Sequence, residues 1–214
     1  MDTSGKMDTT KSDKPVVLVS GFGPFGAHQI NASWSGVQEL LKHGLENKLN
    51  VKIVAVEIPV IYDTVDKLVP NLWKTHSPKL VIHVGVSAQA QMLTLEVCAN
   101  GHEYKRLDCD GKCPPNSTSF CCEKEKDRIQ CGLDVPHIVD EYNKLDKPIQ
   151  AVESDNAGRF LCEYTYYTSL RIDPSRTLFV HVPDLSDKVT AQNIALGLGS
   201  IIELCLQQLQ KCQQ

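Results

Sequence analysis

Apolar and polar positions along this chain alternate between two periods. Pro15 to Ser20 (PVVLVS) is a short, continuous β-branched run, the pattern of a buried strand. Glycines and Pro24 break it. From Asn31, the residues Trp34, Val37, Leu40 and Leu41 recur at helical spacing, and Gly44 ends that helix. Val51 to Val56 (VKIVAV) predicts a second strand, stopped by Pro59. Tyr62 to Lys74 carries a helical stripe of Val65, Leu68, Val69 and Leu72, and Leu80 to Val84 (LVIHV) is a strand running into Gly85. Pro136 to Leu145 predicts a further helix. Asn156 to Arg171 predicts another, although Phe160, Tyr164, Tyr166 and Tyr167 lower its intrinsic propensity. Thr177 to Val182 (TLFVHV) reads as a strand. Thr190 to Lys211 holds a long stripe, Ile194 through Leu209, that closes the chain. Strand and helix alternating over the whole length predicts an α/β domain with a largely parallel sheet covered on both faces.

Two segments depart from this rhythm. Residues 1–14 are polar, charged and nearly free of apolar groups, so they cannot bury enough surface to order themselves and are expected to form a disordered tail. No apolar core segment follows their positive charge, so they do not read as a signal peptide. Residues 100–130 are rich in Lys, Asp, Glu, Pro, Ser and Cys, with little periodicity. An irregular insertion of this length is usually functional or disordered, and its place after a candidate site residue suits a flap. Residues 15–214 are expected to form one domain that includes this insertion.

Composition narrows the function. The 214 residues are 42% hydrophobic, enough for a sizeable core, and the net charge is −4. No basic run or aromatic-interleaved basic patch points to nucleic acid. No stretch approaches the roughly 18 consecutive apolar residues of a membrane span. Nine cysteines without a signal peptide point to a reducing, cytoplasmic setting in which thiols persist.

One cysteine is set differently from the rest. Cys162 ends Ser154-Asp155-Asn156-Ala157-Gly158-Arg159-Phe160-Leu161-Cys162, a small-residue turn opening a helix. Backbone N–H groups and the dipole at a helix start favour thiolate over thiol. His181, in the strand-like Phe179-Val180-His181-Val182-Pro183, can supply a general base. The pairing points to a cysteine hydrolase. Gly21-Phe22-Gly23-Pro24-Phe25-Gly26 spells a dinucleotide loop, but two phenylalanines and a proline suit close pyrophosphate approach poorly. The expected acid further along has only Glu46 as a candidate, in a predicted loop. A rigid turn offering Phe22 and Phe25 as aromatic walls is the better reading, with core packing of both rings as the plain alternative.

Together, GFGPFG followed by INASW, then HVGV with TLE ending eleven residues beyond its glycine, then SDNAGRFLC and FVHVP, resemble pyroglutamyl-peptidase I (pyrrolidone-carboxylate peptidase). The resemblance runs from about Val16 to the last helix. It implies a three-layer α/β/α domain with a twisted mixed sheet, and a cytosolic cysteine exopeptidase that removes N-terminal pyroglutamyl residues from peptides. It implies no metal and no organic cofactor. By motif, the nucleophile falls on Cys162, the general base on His181 and the third member on Glu96. The lactam ring would lie between Phe22 and Phe25 with Phe160 and Leu161 nearby, and Asn31 and the Val86 main chain would address its polar atoms. Where bacterial members carry Gly-Gly-Arg, this chain has Ser87-Ala88-Gln89-Ala90. With Val97 to Asn100 and the cysteine-rich insertion, that places it nearer the animal members. A monomer or weak homo-oligomer is expected.

Other readings stand beside these. Cys162 is also compatible with an inert buried thiol, His181 and His83 with satisfied core histidines, and Glu57 or Asp155 with the histidine's partner. Cys109, Cys113, Cys121, Cys122 and Cys131 with His102 lack paired zinc spacing and read as reduced thiols. A relative of the same fold that binds pyroglutamyl termini with little or no turnover is the alternative function.

Overall fold

The computed structural model describes residues 14–26, 29–122 and 127–211. The tail expected over residues 1–14 falls outside them apart from Lys14, as does Cys212. Eight short strands form two sheets among the described residues. The main sheet holds β1 (Val16–Phe22), β2 (Lys52–Ile58), β3 (Leu80–Val86), β4 (Leu93–Glu96), β7 (Ala151–Ser154) and β8 (Thr177–Val182), in the order β2-β1-β3-β8-β4-β7. β1 runs parallel to β2 and β3, β3 to β8, and β4 to β7. Within this sheet only the β4–β8 pairing is antiparallel among the described residues. A small antiparallel pair, β5 (Cys98–Asn100) and β6 (Arg128–Gln130), stands apart.

The unbroken apolar runs of the sequence follow from burial on both sides. Val17, Val19, Ile82, Val84, Leu178 and Val180 face one core with α1 (Ala32–Leu40), α4 (Val135–Asn143) and α6 (Ala191–Lys211). Leu18, Val81 and Phe179 face the other, with α3 (Tyr62–His76) and α5 (Leu161–Ile172). The result is the expected three-layer α/β/α arrangement around a mostly parallel mixed sheet. No helix of the described residues is long and apolar enough to cross a membrane.

Caps explain several boundaries. Asn31 caps α1, its Oδ1 accepting from Ser33 N–H at 3.1 Å, and Asp134 caps α4, accepting from His137 N–H at 3.1 Å. The sequence reading differs in three places. The helix expected from Asn156 begins only at Leu161, because Gly158 and Arg159 have φ of 95° and 53°, outside the helical region. Glu46 lies in a short helix, α2 (Leu45–Leu49), and its carboxylate accepts from Ile53 N–H at 2.7 Å. Strands β4 to β7 have only three or four residues each, too few to display a period.

Residues 101–122 of the insertion pack onto α3 and α5. Asp108 accepts from the N–H of Tyr62 (3.0 Å), Asp110 (2.9 Å) and Lys112 (2.9 Å), so one carboxylate caps α3 and shapes its own turn. Cys109 N–H donates to Val60 O at 3.0 Å. Tyr104 is buried against the rings of Tyr62 and Tyr164.

Phe22 and Val86 end neighbouring parallel strands at the carboxyl edge of the sheet, where the chain passes from one side of β1 to the other. That switch is the usual location of a ligand crevice in an α/β fold. Gly21 lets α1 approach this edge: a Cβ there would lie 2.7 Å from Trp34 Cα and 2.8 Å from Trp34 N. Because the clash is with backbone, Gly21→Ala should destabilise the protein by about 1–3 kcal/mol in urea unfolding, the scale of overpacking. Unchanged stability would show that α1 is free to shift.

Candidate active site

The main sheet's pairing sets the site. His181 is opposite Gly85 on β3 and opposite Thr94 on β4. Strand alternation puts His181 and Phe179 on the face covered by α5, their rings 4.8 Å apart. Glu96 is opposite Phe179 and so projects to the same face, and His181 Nδ1 lies 2.7 Å from Glu96 Oε1. Both residues are buried, Glu96 at 1% and His181 at 7% exposure. With the carboxylate accepting, Nδ1 carries the proton and Nε2 is left for a second partner.

That partner is Cys162, the second residue of α5. Its sulfur sits over Gly85, where a Cβ would come within 2.7 Å of Sγ and 2.8 Å of Phe179 Cζ. Burial pulls the imidazolium of His181 down. The Cys162 charge and hydrogen bond, joined by the hydrogen bond and charge of Glu96, outweigh it and raise the group from 6.5 to about 10. At neutral pH the ring beside the sulfur is therefore protonated. Phe160 gives α5 no side-chain cap, and the N–H groups of Leu161, Cys162 and Glu163 at its start have no intrahelical acceptor.

A cavity of about 560 Å³ opens on this group and is lined by the residues that the family resemblance assigned to the site: Phe22, Phe25, Asn31, Val86, Glu96, Phe160, Leu161, Cys162 and His181. Phe22 and Leu161 are almost wholly buried and also serve the core, while Phe25 and Phe160 present more open walls. Asn31 Nδ2 donates to Gly23 O at 2.9 Å, and its Oδ1 accepts from Ser33 Oγ at 2.8 Å as well as from Ser33 N–H. Its oxygen is thus occupied, and one N–H remains for a ligand.

The rival assignments fall elsewhere. Asp155 pairs with Arg128 at 3.2 Å, and Glu57 lies beside Gly23. His83 is fully buried, with Nδ1 2.6 Å from Ser20 Oγ and Nε2 2.7 Å from Ser169 Oγ. Burial drops its pKa to about 3, so it is a neutral core histidine. Among the described residues, no group of three or more His, Cys, Asp or Glu is arranged to hold a metal ion.

Sequence reasoning missed several residues. Arg106 lines the cavity and stacks over Phe160, its Cζ 4.2 Å from the ring centroid. It lies in the aperiodic insertion, which carries no pattern to mark it. Val60, Thr94, Ser154 and Asn156 also line the cavity. Next to Cys162 in sequence, buried Glu163 pairs with half-buried Arg159 at 2.8 Å, and their four-residue spacing is a legible signal.

A cysteine at a helix start, a histidine bridged to a buried carboxylate and an adjoining aromatic cavity define a cysteine-type hydrolase on an α/β scaffold. The sequence model for pyroglutamyl peptidase matches residues 15–211, and the chain belongs to that family. It is 42% identical over 200 residues to pyroglutamyl-peptidase 1 of Homo sapiens, covering 94% of each chain, which places it with the animal type. Among solved structures it resembles pyroglutamyl peptidase I of Bacillus amyloliquefaciens (25% identity, TM-score 0.74, covering 88% of this chain and 95% of that one). It also shares the fold of the pyrrolidone carboxyl peptidase of Thermococcus litoralis (21% identity, TM-score 0.79, covering 92% and 96%).

Two outcomes follow from this geometry. The protonated His181 should sustain kcat/KM until pH approaches 10, and Glu96→Gln should move that alkaline limb downward. The linked stability has the same sign. It is complete below pH 6.5, where folded and unfolded chains both hold the proton, and is lost as pH rises towards 10. An alkaline limb identical in wild type and Glu96→Gln would contradict the coupling. Gly85→Ala, which displaces the sulfur, should lower kcat/KM by about 100-fold. Full activity in that variant would remove the sulfur from the reaction centre.

Proposed function

We propose that this chain is a cysteine exopeptidase that hydrolyses the amide bond following an N-terminal pyroglutamyl residue. The observation carrying the reading is the His181–Glu96 hydrogen bond of 2.7 Å beside Cys162, within one cavity walled by Phe22, Phe25 and Phe160. Cys162 attacks the pyroglutamyl carbonyl carbon as thiolate, and the oxygen takes up the charge against the free N–H groups of the first turn of α5. His181, already protonated, gives its proton to the leaving amine. It then takes a proton from water, which attacks the thioester and releases pyroglutamate. Glu96 fixes the imidazole's tautomer and stabilises its charged form.

The neutral, flat lactam suits the aromatic walls. The remaining N–H of Asn31 and the main chain of Val86 are the polar groups offered to it. An N-terminal glutamine brings a charged amine and no ring, so it would leave cavity polar groups unpaired. The eight cysteines among the described residues are free, which favours a reducing compartment that we take to be the cytoplasm.

The test is hydrolysis of a pyroglutamyl arylamide reporter. Cys162→Ala should lower turnover by ~10⁴-fold or more, the scale on which nucleophile loss is felt. His181→Ala should be nearly as severe. The glutaminyl arylamide should not be cleaved. Substantial activity in Cys162→Ala would reject the mechanism, and equal rates on both reporters would reject the pocket assignment.

A further inference from the structure

Glu163 follows the proposed nucleophile directly, and its side chain is fully buried. A buried carboxylate is costly unless its oxygens are well satisfied. Five hydrogen bonds do this. Arg159 N–H donates to Oε2 at 2.9 Å, and Arg159 Nη1 lies 2.8 Å from each oxygen. Asn100, at the end of β5, gives Oε1 its backbone N–H at 3.0 Å and its side-chain Nδ2 at 2.8 Å.

The partners are concentrated at one turn. Arg159 has φ of 53°, in the left-handed region that residues with side chains enter rarely and hold only when their surroundings over-determine it. Phe160 then returns to extended backbone, with φ −138° and ψ −164°, and α5 begins. The Glu163 carboxylate reaches back from the first helical turn to the N–H just ahead of the cap, as in a capping box. By holding Arg159 there, it sets where the N–H groups of Leu161 and Cys162 point. The Arg159 guanidinium offsets a negative charge that would otherwise face a developing oxyanion one residue away. Asn100 ties the same carboxylate to β5, so the turn is braced from outside its own helix.

We infer that Glu163 and Arg159 are positioning residues that aim the amides beside Cys162 at the reaction's oxyanion, so that the pair governs turnover rather than substrate binding. This rests on the hydrolase reading above. A residue acting on the oxyanion should change kcat and tetrahedral-adduct stability. One serving only the fold should change the melting temperature alone.

The experiment compares wild type, Glu163→Gln, Arg159→Gln and Cys162→Ala on a pyroglutamyl arylamide, at a temperature where circular dichroism shows each folded. Glu163→Gln should lower kcat by about 10- to 100-fold, below the 10²–10³ of losing an oxyanion donor outright, with KM changed less than about threefold. Inhibition by the pyroglutamyl aldehyde, whose carbonyl carbon takes the sulfur and whose oxygen takes the proton, should weaken in parallel with kcat/KM. Alkylation of Cys162 by iodoacetamide, which needs no oxyanion site, should keep its wild-type rate. Should Glu163→Gln fail to fold, Arg159→Gln carries the same expectation from outside the helix. Wild-type kcat in a folded variant, or a loss confined to KM, overturns the inference and leaves the hydrolase reading intact. Activity persisting in Cys162→Ala overturns that reading instead.

Discussion

The hydrogen bond between His181 Nδ1 and Glu96 Oε1 spans two strands running in opposite directions, and the site's chemistry depends on it. Thr94 lies opposite His181 and Glu96 opposite Phe179, so the carboxylate reaches the histidine from the adjacent strand, two residues along. Both groups are nearly sealed from water, so their attraction is weakly screened and the histidine can retain its proton despite burial. Without that carboxylate, desolvation would act on the imidazolium opposed only by the sulfur.

The rest of the molecule supplies clearance and walls. Gly85 leaves room for the sulfur above β3, and Phe179 closes the space beneath it. Phe22 ends β1 at the switch point, and Asn31 ties the following loop to α1 through Gly23 and Ser33. The insertion brings Tyr104 under the aromatic cluster and Arg106 over Phe160, so the least patterned stretch of sequence shapes one rim of the cavity. Scaffold and site are thus tightly joined: the strands that bury Val17, Ile82 and Val180 on one face present His181 on the other.

The long elements were legible because each repeats its period several times: the stripe of α6 and the β-branched runs of β1, β3 and β8 leave little choice. The antiparallel turn of β4 was not legible, since four residues between loops show neither direction nor partner. For that reason the pairing of Glu96 with His181 rested on motif resemblance, with Glu57 and Asp155 as rivals; Asp155 instead pairs with Arg128, and Glu57 lies beside Gly23. The start of α5 was misread because Arg159 is an ordinary residue for a helix; its left-handed turn is imposed by Glu163 and Asn100, which periodicity does not record. Arg106 was invisible for a related reason. Its place is fixed by Asp108 and Tyr62, contacts between segments far apart in the chain.

Nine cysteines could in principle compete as the nucleophile of this chain, and the chemistry falls to one of them, Cys162. The most direct measurement is rapid acid quenching during turnover of an activated pyroglutamyl ester, followed by peptide mass spectrometry of the trapped acyl-enzyme. A single pyroglutamyl thioester on Cys162, formed faster than it is hydrolysed, is the expected species. An acyl group on another cysteine, or sustained turnover with none on Cys162, would contradict this assignment.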